Sequence, residues 1–269
     1  MAGLFTDLAT SIGGDAGAST SLATDMAART APNELLNAYL VDYWDSLAGV
    51  GLVSGAVDTW TGQKLGIILS AAAAGNRPVY GADTGYFRGK SVVQAAVTGS
   101  KYLRILDYGS DIIANGAASK PYLVSIHRLR NTNATRSYAL TLGPAAGTTH
   151  FEQSNAATTG NEFARIRSSA AANVDVSAAA AYTASACMRE VWSDSTTSTR
   201  LNMGTTYTTA GAAGIATDIG AVRRIGVGAR GDAFNPSDYS HRWIGLCSSK
   251  PPDALLNQVY RYFQIDSGI

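Results

Sequence analysis

Charge is what this chain has least of. Only 15% of its 269 residues are Asp, Glu, Lys or Arg, and they sum to a net charge of +1. Such a balance leaves no basic footprint for nucleic acid or an anionic membrane surface, so neither is expected as a partner. Cysteine is scarcer still, with Cys187 and Cys247 the only two. A disulfide framework is excluded as the source of stability. Each cysteine sits in an apolar, strand-like run, where a thiol behaves as a small core residue, and buried free thiols are expected. The longest apolar run, around Leu65 to Ala74, is too short to span a bilayer. The opening Met1-Ala2-Gly3-Leu4 lacks the basic segment of a signal peptide, so assembly in a cytoplasm is expected.

The groups that carry most hydrolytic chemistry are also few. Retaining glycoside hydrolysis needs two carboxyls about 5 Å apart, which a Glu-x-Asp-x-x-Glu strand provides. The four glutamates, Glu34, Glu152, Glu162 and Glu190, lie in no such pattern. Glu190 and Asp194 come nearest, but along an extended strand they would stand about 13 Å apart. An ion pair of Glu190 with a neighbouring Arg is the simpler reading. His127, His150 and His241 are far apart in sequence and fit no metal-ligand spacing. Gly-x-Ser-x-Gly and Gly-x-x-x-x-Gly-Lys are absent. The chain is accordingly expected not to be an enzyme.

What is abundant is Ala, Ser, Thr and Gly, a composition of short strands joined by small-residue turns. Between Asp42 and Tyr80, Tyr43-Trp44, Val57, Trp60 and Arg77-Pro78-Val79-Tyr80 follow one another across Gly-rich turns. They read as the first strands of a sandwich, with Val57 and Thr59 pointing one way and Trp60 the other. Pro78 lacks a backbone donor and belongs at an edge or a strand start. Further strands are expected over Ser91–Val97, Lys101–Asp107, Tyr122–Arg130, Tyr138–Leu142, Phe163–Arg167, Ser185–Trp192, Thr199–Met203 and Val222–Val227. In the clearest alternation, Tyr122, Val124, Ile126 and Arg128 share one face and Leu123, Ser125, His127 and Leu129 the other. The Ala-rich stretch 168 to 184 is read as strand rather than helix, because Asn173, Asp175 and Tyr182 interrupt any helical stripe. Successive strands without long intervening helices make an all-β, antiparallel β-sandwich.

Residues 1–41 differ. Leu4, Phe5, Leu8 and Ile12, then Leu22 and Met26, recur at helical spacing. Asn33 caps a short helix whose stripe is Leu35, Leu36, Tyr39, Leu40 and Tyr43. This apolar arm is expected to anchor the chain or to pack it in a homo-oligomer, leaving 42–269 as the sandwich.

Trp44, Val57-x-x-Trp60, Gly66, Arg77-Pro78-x-Tyr80 and Gly89-x-x-Val92-Val93 open the body of the chain. Ile225-Gly226-x-Gly228-Ala229-Arg230, Trp243-Ile244-Gly245, Pro252-Asp253-Ala254-Leu255-Leu256 and Tyr260-Arg261-Tyr262-Phe263 close it. Over roughly residues 42 to 269 this order resembles the concanavalin A-like (laminin G-like) jelly-roll domains common in secreted bacterial proteins and phage structural proteins. The resemblance implies a penultimate strand, a last strand and a short C-terminal helix. It also directs attention to Gly231–Tyr239, because many members hold calcium near the sandwich rim. Asp232, Asn235 and Asp238 supply suitable oxygens; an Asx-rich turn is the competing reading. Tyr86, Tyr102 and Tyr108 are candidates to stack on sugar, against a core or interface role. The expected function is a non-enzymatic virion structural protein: a capsid decoration, head-fibre or tail-associated protein, assembled in the host cytoplasm with other virion proteins. The alternative is a carbohydrate-binding module recognising host surface glycan.

Overall fold

In the computed structural model the described residues are 30–114, 121–131, 137–144, 151–155, 161–167, 173–181, 186–193, 196–203, 206–213, 221–229 and 236–269. The chain enters through a single helical turn, α1 (Pro32–Leu35), and continues into β1 (Leu40–Asp45), β2 (Val50–Val53), β3 (Ala56–Thr61), β4 (Ile68–Ser70), β5 (Val79–Ala82), β6 (Ser91–Gln94) and β7 (Leu103–Ile105). Then come β8 (Tyr122–Leu129), β9 (Ser137–Gly143), β10 (Phe151–Asn155), β11 (Asn161–Arg167), β12 (Asn173–Ala181) and β13 (Cys187–Ser193). β14 (Thr196–Met203), β15 (Thr206–Ala213), β16 (Arg224–Val227), β17 (Tyr239–Cys247) and the helix α2 (Asp253–Ser267) complete it.

Every described ladder is antiparallel, and the strands form two layers. In the first, β17 is central: β1 and β6 flank one side of it, β8 the other, and β13, β14 and β15 follow outward, with β5 beside β6. The second runs β2-β3-β4-β7-β16-β9-β10-β11-β12. A single bridge, Ala56 to Val79, joins them. Between the layers lies the main core, with Trp44, Leu123, Ile244 and Leu246 from the first sheet against Trp60, Leu103, Leu140, Phe151 and Ile225 from the second. This is the all-β sandwich read from the sequence, and the Ala-rich stretch contributes β12, a strand, as expected.

Two local readings change. The helix after Pro32 stops at Leu35, and Ala31, not Asn33, is its cap, because Pro32 takes the first helical position that its fixed φ favours. Leu40, Asp42 and Trp44 are then buried positions of a strand, and an irregularity after Leu40 puts it in the cluster beneath the C-terminal helix while Trp44 enters the main core. Val57 and Trp60 also share one face, both in the main core. Gly51 pairs Thr59 while Leu52 pairs Val57, so Asp58 is an extra residue, and the bulge re-aims everything after it. Ser54 and Gly55, at φ 52° and 78°, make the tight turn between β2 and β3 that requires left-handed backbone at both positions.

Asp42 is fully buried, and its carboxylate organises the next loop by accepting from the backbone N–H groups of Lys64 and Ile67, at 2.9 Å each. A Cβ on Gly62 would fall 2.0 Å from Asp42 Oδ2, so the close approach depends on glycine there.

The outer face of the first sheet is closed by α2. Leu256, Val259, Tyr260 and Phe263 recur on one helical stripe and bury against Val124, Ile126, Met188, Trp192 and Trp243. Gly268 ends the helix in left-handed backbone at φ 68°. A bulge between His241 and Trp243 turns the Arg242 guanidinium, 1% exposed as a residue, toward Asp45 and Asp266, and Lys90 bonds Asp266 as well.

Candidate functional site

The outer face of the second sheet is assembled from residues flanked by core neighbours. Ser70 follows Leu69, Arg104 lies between Leu103 and Ile105, and Gly226 lies between Ile225 and Val227. Thr141 lies between Leu140 and Leu142, and Glu152 follows Phe151; all these neighbours face the main core. By the two-residue period of a strand, the residues between them face outward. The registers align them in one row: Thr59 opposite Ser70, Ser70 opposite Arg104, Arg104 opposite Gly226, Gly226 opposite Thr141, Thr141 opposite Glu152. The same row continues at Arg165 on β11 and Asp175 on β12. Six strand steps separate Ser70 from Asp175, about 29 Å at the usual spacing.

An open groove of about 500 Å³ lies at the β4–β7 end, lined by Ile68, Ser70, Arg104, Leu106 and Asp107 among others. Ile68 is 50% and Leu106 46% exposed, whereas Thr141 and Glu152 are 2% and 3% exposed. The row thus passes from an open, partly apolar groove inward to a carboxyl shielded from water. Arg104 lies over the Tyr102 ring at 5.6 Å. Asp107 is held by Arg223 at 2.9 Å.

A second polar cluster lies inside the sandwich. Ser125 donates to Gln153 Oε1 at 2.6 Å and stands 2.9 Å from His127 Nδ1. Arg189, fully buried, donates to the Ser154 carbonyl at 3.2 Å. The rings of His127, Tyr239 and His241 pack together at 5.1–6.0 Å. Burial pushes His241 down to about 3, helped by the Arg130 charge. Burial likewise holds His127 well below its ordinary value, with His241 and Arg189 adding to the shift. The Cys187 thiol is pushed up to about 12 by burial alone. Although a hydroxyl beside an imidazole resembles an activated nucleophile, Ser125 and His127 are both 0% exposed, and no substrate can reach them.

Of the residues singled out from the sequence, Leu4, Phe5, Leu8, Ile12, Leu22 and Met26 lie outside the described residues. So do Asp232, Asn235, His150 and Asp194. Asp238 accepts from the Val97 N–H at 3.1 Å. Tyr86 packs under the Arg128 guanidinium at 3.5 Å, beside the helix-covered cluster, whereas Tyr108 packs against the main core and Tyr102 is 4% exposed. Glu190 is buried in the first sheet directly opposite Arg200 in register. Cys187 and Cys247 are buried free thiols. Arg104 and Thr141 went unnoticed, although each is a polar residue set in an apolar strand, and Glu152 was passed over for want of a partner within its own strand; what joins them is register between distant strands.

No protein-family model and no curated protein matches this sequence. Solved structures do match its fold. An arabinofuranosidase complexed with arabinofuranosyl-α-1,2-xylobiose superimposes with a TM-score of 0.59 at 11% identity, over 88% of this chain and 66% of that one. A GH54 α-L-arabinofuranosidase soaked with a cyclic sulfate inhibitor gives 0.59 at 12% identity, with the same coverage. A Trypanosoma rangeli sialidase in complex with 2,3-difluorosialic acid gives 0.50 at 10% identity, over 85% of this chain and 33% of that one. The chain therefore spans 66% of the arabinofuranosidases' length and a third of the sialidase's.

These matches correct the functional expectation. Two structures that share this fold over 88% of the chain are arabinofuranosidases, not capsid decorations or fibres. The readings as a non-enzymatic protein, a virion component and a glycan-recognition module are set aside together. The non-enzymatic reading rested on the lack of a carboxylate pair within one strand, and carboxyls can equally be brought together across strands.

Proposed function

We propose that this chain is a carbohydrate-processing protein of the concanavalin A-like jelly-roll class, cleaving a glycosidic bond in a saccharide laid along the row on its second sheet. The observation that carries the reading is the alignment of Ser70, Arg104, Thr141 and Glu152 in one register row that starts in an open groove. The fold it shares with two arabinofuranosidases supports it.

The groove suits a sugar. Ile68 and Leu106 offer apolar surface to a ring face, while Ser70, Arg104 and Asp107 offer hydrogen bonds to hydroxyls. Glu152, only 3% exposed, is the carboxyl at the shielded end; the reading requires that the saccharide open this end of the row, where exclusion of water strengthens the action of the carboxyl on a developing oxocarbenium charge.

The test is turnover by the purified full chain on a panel that includes arabinofuranosyl-substituted xylo-oligosaccharides and sialosides. Glu152→Gln should lower kcat by about 10²–10⁴-fold while far-ultraviolet circular dichroism stays that of the wild type. A panel without turnover would sink the enzymatic reading; unchanged kcat in Glu152→Gln would move the chemistry off this face.

A further inference from the structure

The polar cluster inside the sandwich plays no part in the reaction proposed above, and it has unmet hydrogen-bonding capacity. His241 and Tyr239 are both 0% exposed. Among the described residues neither ring nitrogen of His241, nor the Tyr239 hydroxyl, has a hydrogen-bond partner. Three such atoms on two neighbouring residues are too many to leave bare, because buried polar groups in folded proteins are almost always satisfied.

The chemistry of the three atoms defines what must sit beside them. An imidazole that burial keeps neutral presents one N–H donor and one bare nitrogen acceptor. The Tyr239 hydroxyl donates and accepts. A metal cation could serve only the bare nitrogen, and Arg130 and Arg189, whose charges already act on His241 and His127, would repel it. An anion could serve only the donors. A molecule that both donates and accepts serves all of them. We infer that ordered water molecules occupy this end of the sandwich interior, hydrogen-bonded to Tyr239 Oη and to both ring nitrogens of His241.

The site is distinct from the rest of the core. Around it lie His127, which packs against both rings, Ser125 and Gln153 bonded in a chain with His127, and the small cluster of Leu129, Ala139 and Tyr239. The water would complete a polar seam that ties the two sheets together at the end where the apolar core stops.

A crystal structure of the full, unmodified chain at a resolution that shows solvent tests this directly. Density within about 3.2 Å of the Tyr239 hydroxyl and the His241 nitrogens is expected; a pocket free of density overturns the inference. His241→Phe is the second arm. Where water is bound, the variant loses it, strands the Tyr239 hydroxyl and melts at least about 2–4 °C lower; where the site is dry, the same change relieves two bare nitrogens and raises Tm. Melts in zinc chloride and in sodium chloride against sodium perchlorate complete the set. A stabilisation by zinc, or by chloride specifically, that His241→Phe abolishes would replace the water with an ion, whereas identical melts in all three support it.

Discussion

The outer faces of the two sheets are built by the same alternation of strand residues, yet one is shut and the other open. On the first sheet, Val124, Ile126, Met188, Trp192 and Trp243 lie beneath α2. On the second, the outward residues are Ser70, Arg104, Thr141 and Glu152, with a groove at one end. A sheet face made of large apolar side chains recruits a cover, because leaving it wet costs about 25 cal/mol per Å². A face made of polar residues needs no apolar cover, and around Ser70 and Arg104 it stays open, although Thr141 and Glu152 further along are buried.

The contrast can be broken from either side. The largest effect is expected under the helix. Phe263→Ala, removing a ring packed 5.8 Å from Trp243, should cost about 3–5 kcal/mol in urea unfolding. Turnover per folded molecule should be unchanged, and a parallel loss of turnover would show that the two faces are not independent.

Next comes acid, acting on the interior between the faces. His241 has its folded value lowered to about 3 against an ordinary 6.5, so between those limits the unfolded chain binds the extra proton. The stability due to the neutral ring is therefore complete above about pH 6.5 and is lost as pH falls toward 3. Urea melts at pH 4.5 should show about 2–3 kcal/mol less than at pH 7, with His127 adding in the same direction. Equal stability at both pH values would mean that neither ring is kept neutral.

The tie at the edge of the covered face is smaller. Arg242→Met leaves Asp45 and Asp266 without their shared cation. Both carboxylates retain some solvent and Asp266 keeps Lys90, so a loss of about 2 kcal/mol is expected. Burial acts to raise Asp266, but the Lys90 and Ser267 hydrogen bonds and the Arg242 charge hold it below its ordinary value. Its contribution therefore disappears only as the pH falls through that lowered value. The smallest change in stability belongs to the open face. Arg104→Ala should shift urea unfolding by no more than about 0.5 kcal/mol while raising KM for the saccharide, and an unaltered KM would move the binding lane away from the groove.

The layered architecture was legible because it is a local property. Strands such as Tyr122–Leu129 announce their two faces through a period of two, and the stretch around Val174 and Val176 keeps that period despite its alanines. Short apolar runs were less clear. Leu36, Leu40 and Tyr43 satisfy a helical spacing, while Leu40, Asp42 and Trp44 satisfy a strand spacing equally well, and pairing with β17 decides between them. The bulge at Asp58 was invisible, because an extra residue leaves no mark until its partner strand is known. The candidate site was hidden for a related reason. Ser70, Arg104, Thr141, Glu152 and Gly226 come together only through four strand pairings, and His127 meets His241 only because β8 lies beside β17.

The position of β17 bears on how the chain is made. The strand at the heart of the first sheet is the last one synthesised, and its neighbours β1 and β8 emerge from the ribosome some two hundred and one hundred residues earlier. Until residue 247 has cleared the exit tunnel, those strands have no centre to zip onto, and their Trp44, Leu123 and Ile126 side chains stay available to chaperones or to other nascent chains. A ribosome-bound chain halted near residue 235 should therefore remain sensitive to protease throughout the first sheet, and become resistant in a single step once α2 has followed.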